Sequence, residues 1–154
     1  MIDFRYLLRK NRASKISKQR HDAMKKTKTC KGMILNLALS YGGRNDILRA
    51  VRRIIDDYEL KKIKSEDITT DVFSNYLFTA GIPDPDLLIR TSGEYRVSNF
   101  LLWQIAYTEI YITETLWPDF KKRDLIEAII EFQARERRFG LTGEQIGDRD
   151  KNRA

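Results

Sequence analysis

One cysteine and one histidine are all the chain has among its 154 residues. Cys30 alone excludes an internal disulfide and fits a reducing compartment. It reads as a small packing residue late in a helix. His21 lies among lysines with no evident orienting partner, so it reads as a solvated side chain rather than a catalytic base. No apolar run reaches the roughly 20 residues of a membrane-spanning helix. The opening MIDFRYLLRKNR has no apolar stretch followed by a small-residue cleavage site, so no signal peptide is expected. No internal repeat is found.

What is present suits a globular domain: 42% of residues are hydrophobic and 33% charged. The formal charge of +7 is uneven, because residues 1–31 hold 11 Lys and Arg against 2 Asp and Glu, and the remainder 18 against 20. A basic first segment reads as an arm for an anionic membrane or nucleic acid, or as a solvated helix face. It lacks the regular aromatic interleaving that stacks bases, so no nucleic-acid partner is expected.

Short β-rich or apolar runs alternate with helical patterns. Strands are expected at Ile2–Leu8, Met33–Leu39, Leu87–Arg90 and Glu109–Thr113. Met33–Leu39 is apolar enough to be buried on both faces of a parallel sheet. Helices are expected at 14–29 with Gly32 as the glycine beyond its end, at 46–57 with Ile47, Leu48, Val51, Ile54 and Ile55 inward, and at 71–79 capped by Ser65 or Thr70. The last is expected at 122–138, with Leu125, Ala128, Ile129 and Phe132 inward, Gly140 ending it and basic residues in its final turn. The apolar 100–106 stretch reads as a short helix in the core or at an interface. The pattern is α/β, a mostly parallel sheet flanked by helices, with 141–154 a polar tail.

The chemistry concentrates in 84–120. Arg90 falls at the carboxyl end of a strand, the usual ligand edge of an open α/β sheet. Arg90 and Arg96 flank a Thr-Ser-Gly turn, Ser98 follows, and Glu109 opens the next apolar run. Two planar guanidinium forks and a hydroxyl suit a diphosphate, and a carboxylate beside a diphosphate suits Mg2+. The plainer readings are a surface salt-bridge loop and a strand-edge carboxylate. Tyr41-Gly42-Gly43-Arg44, between a strand and a helix, is either a tight turn or a phosphate loop.

These motifs resemble the cis-prenyltransferases, undecaprenyl diphosphate synthases in particular. The residues carrying the resemblance are Leu35–Arg44 (LNLALSYGGR), Asp86–Glu94 (DLLIRTSGE), Arg96–Gln104 (RVSNFLLWQ), Glu109, Leu116–Phe120 (LWPDF) and Arg137–Gly140 (RRFG). The resemblance implies repeated cis condensation of isopentenyl diphosphate onto an allylic diphosphate such as farnesyl diphosphate, giving a lipid carrier of cell-wall sugars. It implies that Arg90, Arg96, Val97 and Ser98 bind the isopentenyl headgroup and that Glu109 contributes to a Mg2+ site. Tyr41, Gly42, Gly43 and Arg44 would shape the pocket. Arg138 and Gly140 would assist a partner's site in a homodimer, in the cytoplasm or against the inner membrane face. The family's Asp-Gly-Asn-x-Arg-Trp motif and its later Asn-Trp element have no counterpart here. Residues 1–140 are therefore expected to be the C-terminal part of a synthase domain, missing its first strands, with no catalytic residue of its own and inactive alone. The alternatives are a non-catalytic subunit of a two-component prenyltransferase and a basic nucleic-acid-binding module.

Overall fold

A computed structural model describes residues 2–8 and 15–135. The chain divides into two units, residues 1–83 with 99–103, and residues 84–98 with 104–154.

In the first unit, β1 (Ile2–Leu8) and β2 (Met33–Leu39) pair in parallel from Ile2 against Met33 to Leu8 against Leu39, joined through α1 (Lys15–Thr27), which packs on β1. This is the expected strand-helix-strand unit. Two details differ. The helix stops at Thr27, whose carbonyl accepts from Cys30 N at 2.8 Å, so Gly32 stands beyond the turn. Nor is β2 buried on both faces: Met33 is 54% and Ile34 49% exposed. A strand is covered on both faces only where a layer packs on each, and composition registers the apolar demand without supplying the layers.

α2 (Gly43–Glu59) starts three residues before the expected position, because a distant residue caps it: Asn99 O accepts from Gly43 N at 2.7 Å and Asn99 Oδ1 from Arg44 N at 2.9 Å. Its buried side is Asp46, Ala50 and Ile54, spaced one helical turn apart. Leu48, Val51 and Ile55, expected inward, are 54%, 40% and 50% exposed. α3 (Thr70–Ser74) is shorter than expected and is capped by Thr69, whose Oγ1 accepts from Val72 N at 3.2 Å. The chain continues to Ile82 in three-residue turns interrupted at Phe78, whose N–H goes to Asp46 instead. Residues 100–106 form turns instead of the expected helix. Trp103 packs on Phe73, ring centroids 4.4 Å apart, and its Nε1 donates to Ser74 Oγ at 3.0 Å.

A surface network closes the C-terminal end of α2. Asp57 accepts from Lys62 Nζ and from Tyr76 OH, each at 2.9 Å. Lys62, and then the Tyr76 hydroxyl, hold the Asp57 carboxyl below its ordinary value, while Asp57 pushes the Tyr76 phenol up. A depressed carboxyl stabilises the fold above its unfolded pKa, and that contribution is lost as pH falls through the folded value. Urea midpoints should therefore drop on acidification below about pH 4, and Asp57→Asn should remove that part of the slope. An unchanged slope in the variant would show that the network carries no linkage.

In the second unit, β3 (Leu87–Arg90) and β4 (Glu109–Ile112) also pair in parallel, Leu87 against Glu109 and Arg90 against Ile112. Flanking bonds, Glu109 N to Asp86 O at 3.0 Å and Thr113 N to Arg90 O at 2.9 Å, extend the ladder. α4 (Lys122–Ala134) packs on β4 and is shorter than expected. Arg135 leaves the helix in extended geometry, φ −83° and ψ 139°. Ala128 is buried, whereas Leu125 and Ile129 are 42% and 40% exposed. The α/β class and the parallel pairing stand as read from the sequence.

Candidate functional site

The Tyr41–Arg44 motif is held by a carboxylate that sequence reading passed over. Asp46 is 1% exposed. Its Oδ2 accepts from Tyr41 OH at 3.2 Å, and its Oδ1 from Arg49 Nη2 at 3.0 Å and from Phe78 N at 3.0 Å. Arg49 Nη2 also donates to Tyr76 O at 2.9 Å, and the guanidinium carbon lies 3.7 Å from the centre of the Phe78 ring. Tyr41 in turn meets Phe100 edge-on, ring centroids 5.8 Å apart. The glycine pair is a close-packing device. A Cβ on Gly43 would lie 2.9 Å from Leu102 Cγ and 3.0 Å from Leu102 N. The N–H groups that a phosphate loop would offer at Gly43 and Arg44 are already bonded to Asn99, which favours the tight-turn reading. The Arg44 side chain is exposed.

Arg90 ends β3, and the loop after it is tied down by backbone bonds: Ser92 N to Thr115 O at 3.0 Å and Gly93 N to Thr113 O at 2.9 Å. Ser92 and Gly93 take left-handed φ values of 69° and 62°, and a Cβ on Gly93 would collide with the Glu114 carboxylate. Ser98, Asn99 and Leu101 are also left-handed, at 48°, 61° and 44°. Each such non-glycine residue costs about 1 kcal/mol or more, a concentration of strain typical of ligand loops. Arg96, 65% exposed, pairs with Glu94. Val97 is half-buried and Ser98 exposed. Arg90 Nε is buried and has no hydrogen-bond partner among the described residues.

Glu109 is not brought to this loop by the sheet. Its partner is Leu87, three residues before Arg90. At about 3.3 Å per residue it stands about 10 Å away along the strands, and the odd offset turns it to the other face. Parallel pairing causes this, since a residue opening one strand lies opposite the beginning of its neighbour. At that end Arg135 Nη1 donates to Glu109 Oε2 at 3.0 Å.

Among the described residues no three His, Cys, Asp or Glu side chains gather as a metal site. Magnesium binds readily through one or two carboxylates completed by phosphate oxygens and water. Glu109 offers one carboxylate, which fits an ion arriving with a diphosphate and not a cage built by the protein alone. Arg138 and Gly140 lie outside the described residues. No helix among the described residues is long and apolar enough to cross a membrane. Sequence reading missed Asp46, Asn99 and Arg135. Asp46 looks like an ordinary first-turn acid, and the other two act across 55 and 26 positions of chain.

The profile of the undecaprenyl diphosphate synthase family (Prenyltransf) matches residues 7–140. The chain is 54% identical over 118 residues to an isoprenyl transferase of Clostridium perfringens, covering 77% of this chain and 47% of that protein. It is 51% identical over 134 residues to an isoprenyl transferase of Geobacter sulfurreducens, covering 87% and 54%. Among solved structures it resembles lavandulyl diphosphate synthase from Lavandula x intermedia in complex with dimethylallyl diphosphate. That likeness has a TM-score of 0.85 and 39% identity, and covers 90% of this chain and 60% of that one. For a probable undecaprenyl diphosphate synthase from Campylobacter jejuni the values are 0.74, 36%, 90% and 63%. The chain spans about half the length of the curated relatives it matches.

Proposed function

The chain belongs to the undecaprenyl diphosphate synthase family, and we propose that its 84–120 region binds the headgroup of isopentenyl diphosphate for cis-prenyl chain elongation. The observation that carries this reading is the buried Nε of Arg90 at the end of β3, which has no hydrogen-bond partner among the described residues. An arginine donor shielded from water and left unbonded is costly. A diphosphate oxygen would satisfy it while accepting from the rest of the fork.

Arg96 is the second clamp. To reach a diphosphate it must leave Glu94, but both are part-exposed, at 65% and 34%. Such a pair is worth at most about 1 kcal/mol, less than the roughly 1.5–3 kcal/mol of one hydrogen bond to a charged group. The exchange therefore favours the ligand. The Ser98 hydroxyl adds a donor, and Val97 spaces it from Arg96. Headgroup binding orients the isopentenyl double bond toward an allylic diphosphate, whose own diphosphate departs as the new carbon–carbon bond forms and a proton leaves. Magnesium at Glu109 would offset the negative charge on a diphosphate there. Because Glu109 and Arg90 occupy opposite ends of the β3–β4 pair, we place the headgroup and the metal in two half-sites, completed by a second copy in a homodimer. Arg138 and Gly140 are proposed to assist that partner's site. We place residues 1–140 as the C-terminal portion of the family's domain, 141–154 as a polar tail, and the protein in the cytoplasm, at the inner membrane face where it is peripheral.

As a 154-residue chain the protein should bind isopentenyl diphosphate without elongating farnesyl diphosphate. The test pairs calorimetric titration with isopentenyl diphosphate, isopentenol as the uncharged control, with radiolabel incorporation in Mg2+. Equal binding of the alcohol, or none of either, would refute the headgroup site. Incorporation would refute the expectation that the chain lacks an allylic site.

A further inference from the structure

We propose that Arg135 is a positioning residue for the Glu109 carboxylate, acting through it on divalent-cation binding. The proposal rests on Glu109 being a metal-contacting group and adds a residue to that half-site.

Three acceptors fix the guanidinium. Nη1 donates to Glu109 Oε2 at 3.0 Å and to the Ile110 carbonyl at 2.9 Å, and Nη2 pairs with Glu131. Glu131, and then Glu109, push the Arg135 guanidinium further up from its ordinary value. Arg135 and Glu109 side chains are 29% and 30% exposed, so the pair is partly shielded, unlike Arg96 and Glu94. Glu109 opens β4. The arginine holds Oε2 and thereby fixes which way Oε1 faces. It does so without cancelling the local field, because one cation stands between two carboxylates and a net negative charge remains. This is how supporting residues orient ligating carboxylates in metal sites, and their loss typically weakens metal affinity about 10–100-fold. A purely mechanical role, pinning the end of α4 to β4, would change stability and leave cation affinity alone.

The test titrates the full 154-residue chain with Mn2+ in the presence of inorganic diphosphate, reading free Mn2+ by electron paramagnetic resonance. Arg135→Gln should weaken Mn2+ binding about 10–100-fold, Arg135→Lys less, and Glu109→Gln at least as much. The double variant should be no worse than Glu109→Gln, since the arginine acts through that carboxylate. If Glu109→Gln leaves Mn2+ binding unchanged, the metal role of Glu109 fails and this inference with it. If Glu109→Gln weakens binding but Arg135→Gln does not, or tightens it, only the positioning role is overturned. Should Arg135→Gln not fold, Arg135→Lys keeps the local charge but loses the fork that holds Oε2. A few-fold weakening is expected there, and no change overturns the proposal.

Discussion

Asp46→Ala should destabilise the first unit by about 3 kcal/mol, the low end of what breaking a buried ion pair costs because Arg49 is partly exposed. The loss has three parts. The Phe78 N–H is left without its acceptor, the Tyr41 hydroxyl loses its partner, and Arg49 loses its charge neutraliser while remaining bonded to Tyr76 O. Asp46→Asn keeps the shape but offers one acceptor oxygen where two received donors, so a smaller loss of about 1–2 kcal/mol follows. Trp103 lies in this unit, so its fluorescence during urea unfolding, in a Trp117→Phe background, reports on the right part of the chain. A cost for Asp46→Ala below about 1 kcal/mol would overturn the view that this buried carboxylate holds the unit together.

Arg90→Ala should separate binding from stability. Two charge-assisted bonds lost from a diphosphate amount to about 3 kcal/mol, or roughly 100-fold in Kd. Arg90→Lys should recover little, because an ammonium cannot reproduce a two-pronged fork. The thermal midpoint, by contrast, should hold or rise, since among the described residues the buried Nε has no hydrogen bond to lose. Calorimetric titration beside thermal denaturation decides the matter. If the midpoint falls with the affinity, Arg90 is a structural residue and the diphosphate assignment loses its main support.

The sequence announced elements well and their surroundings poorly. All four strands were legible, because β-rich runs between helical patterns demand parallel pairing, and both pairs are parallel. Interior assignments went astray on α2 and α4, where Leu48, Ile55 and Ile129 carry apolar character at helical spacing yet are exposed. Periodicity tells which side of a helix is oily, not what lies against it. The loop of Arg90, Arg96 and Ser98 was visible as chemistry. Its distance from Glu109 was not, because linear order gives no register. The cap that Asn99 supplies to α2 was equally hidden: local capping rules search within one turn of the helix start, and this residue comes from 55 positions away.

The link from β3 to β4, residues 91–108, contains no helix although it joins parallel neighbours. A helical crossover is partly formed before its strands meet; this one has no such head start. Its ends must find each other first, at an entropic cost that local contacts do not offset. Arg96 and Ser98 ride on that link, so their placement is expected to follow the joining of the strands. A mutation weakening β3–β4 pairing would therefore silence ligand capture long before it unravelled the helices, and loss of binding would be the earliest symptom of a fold beginning to fail.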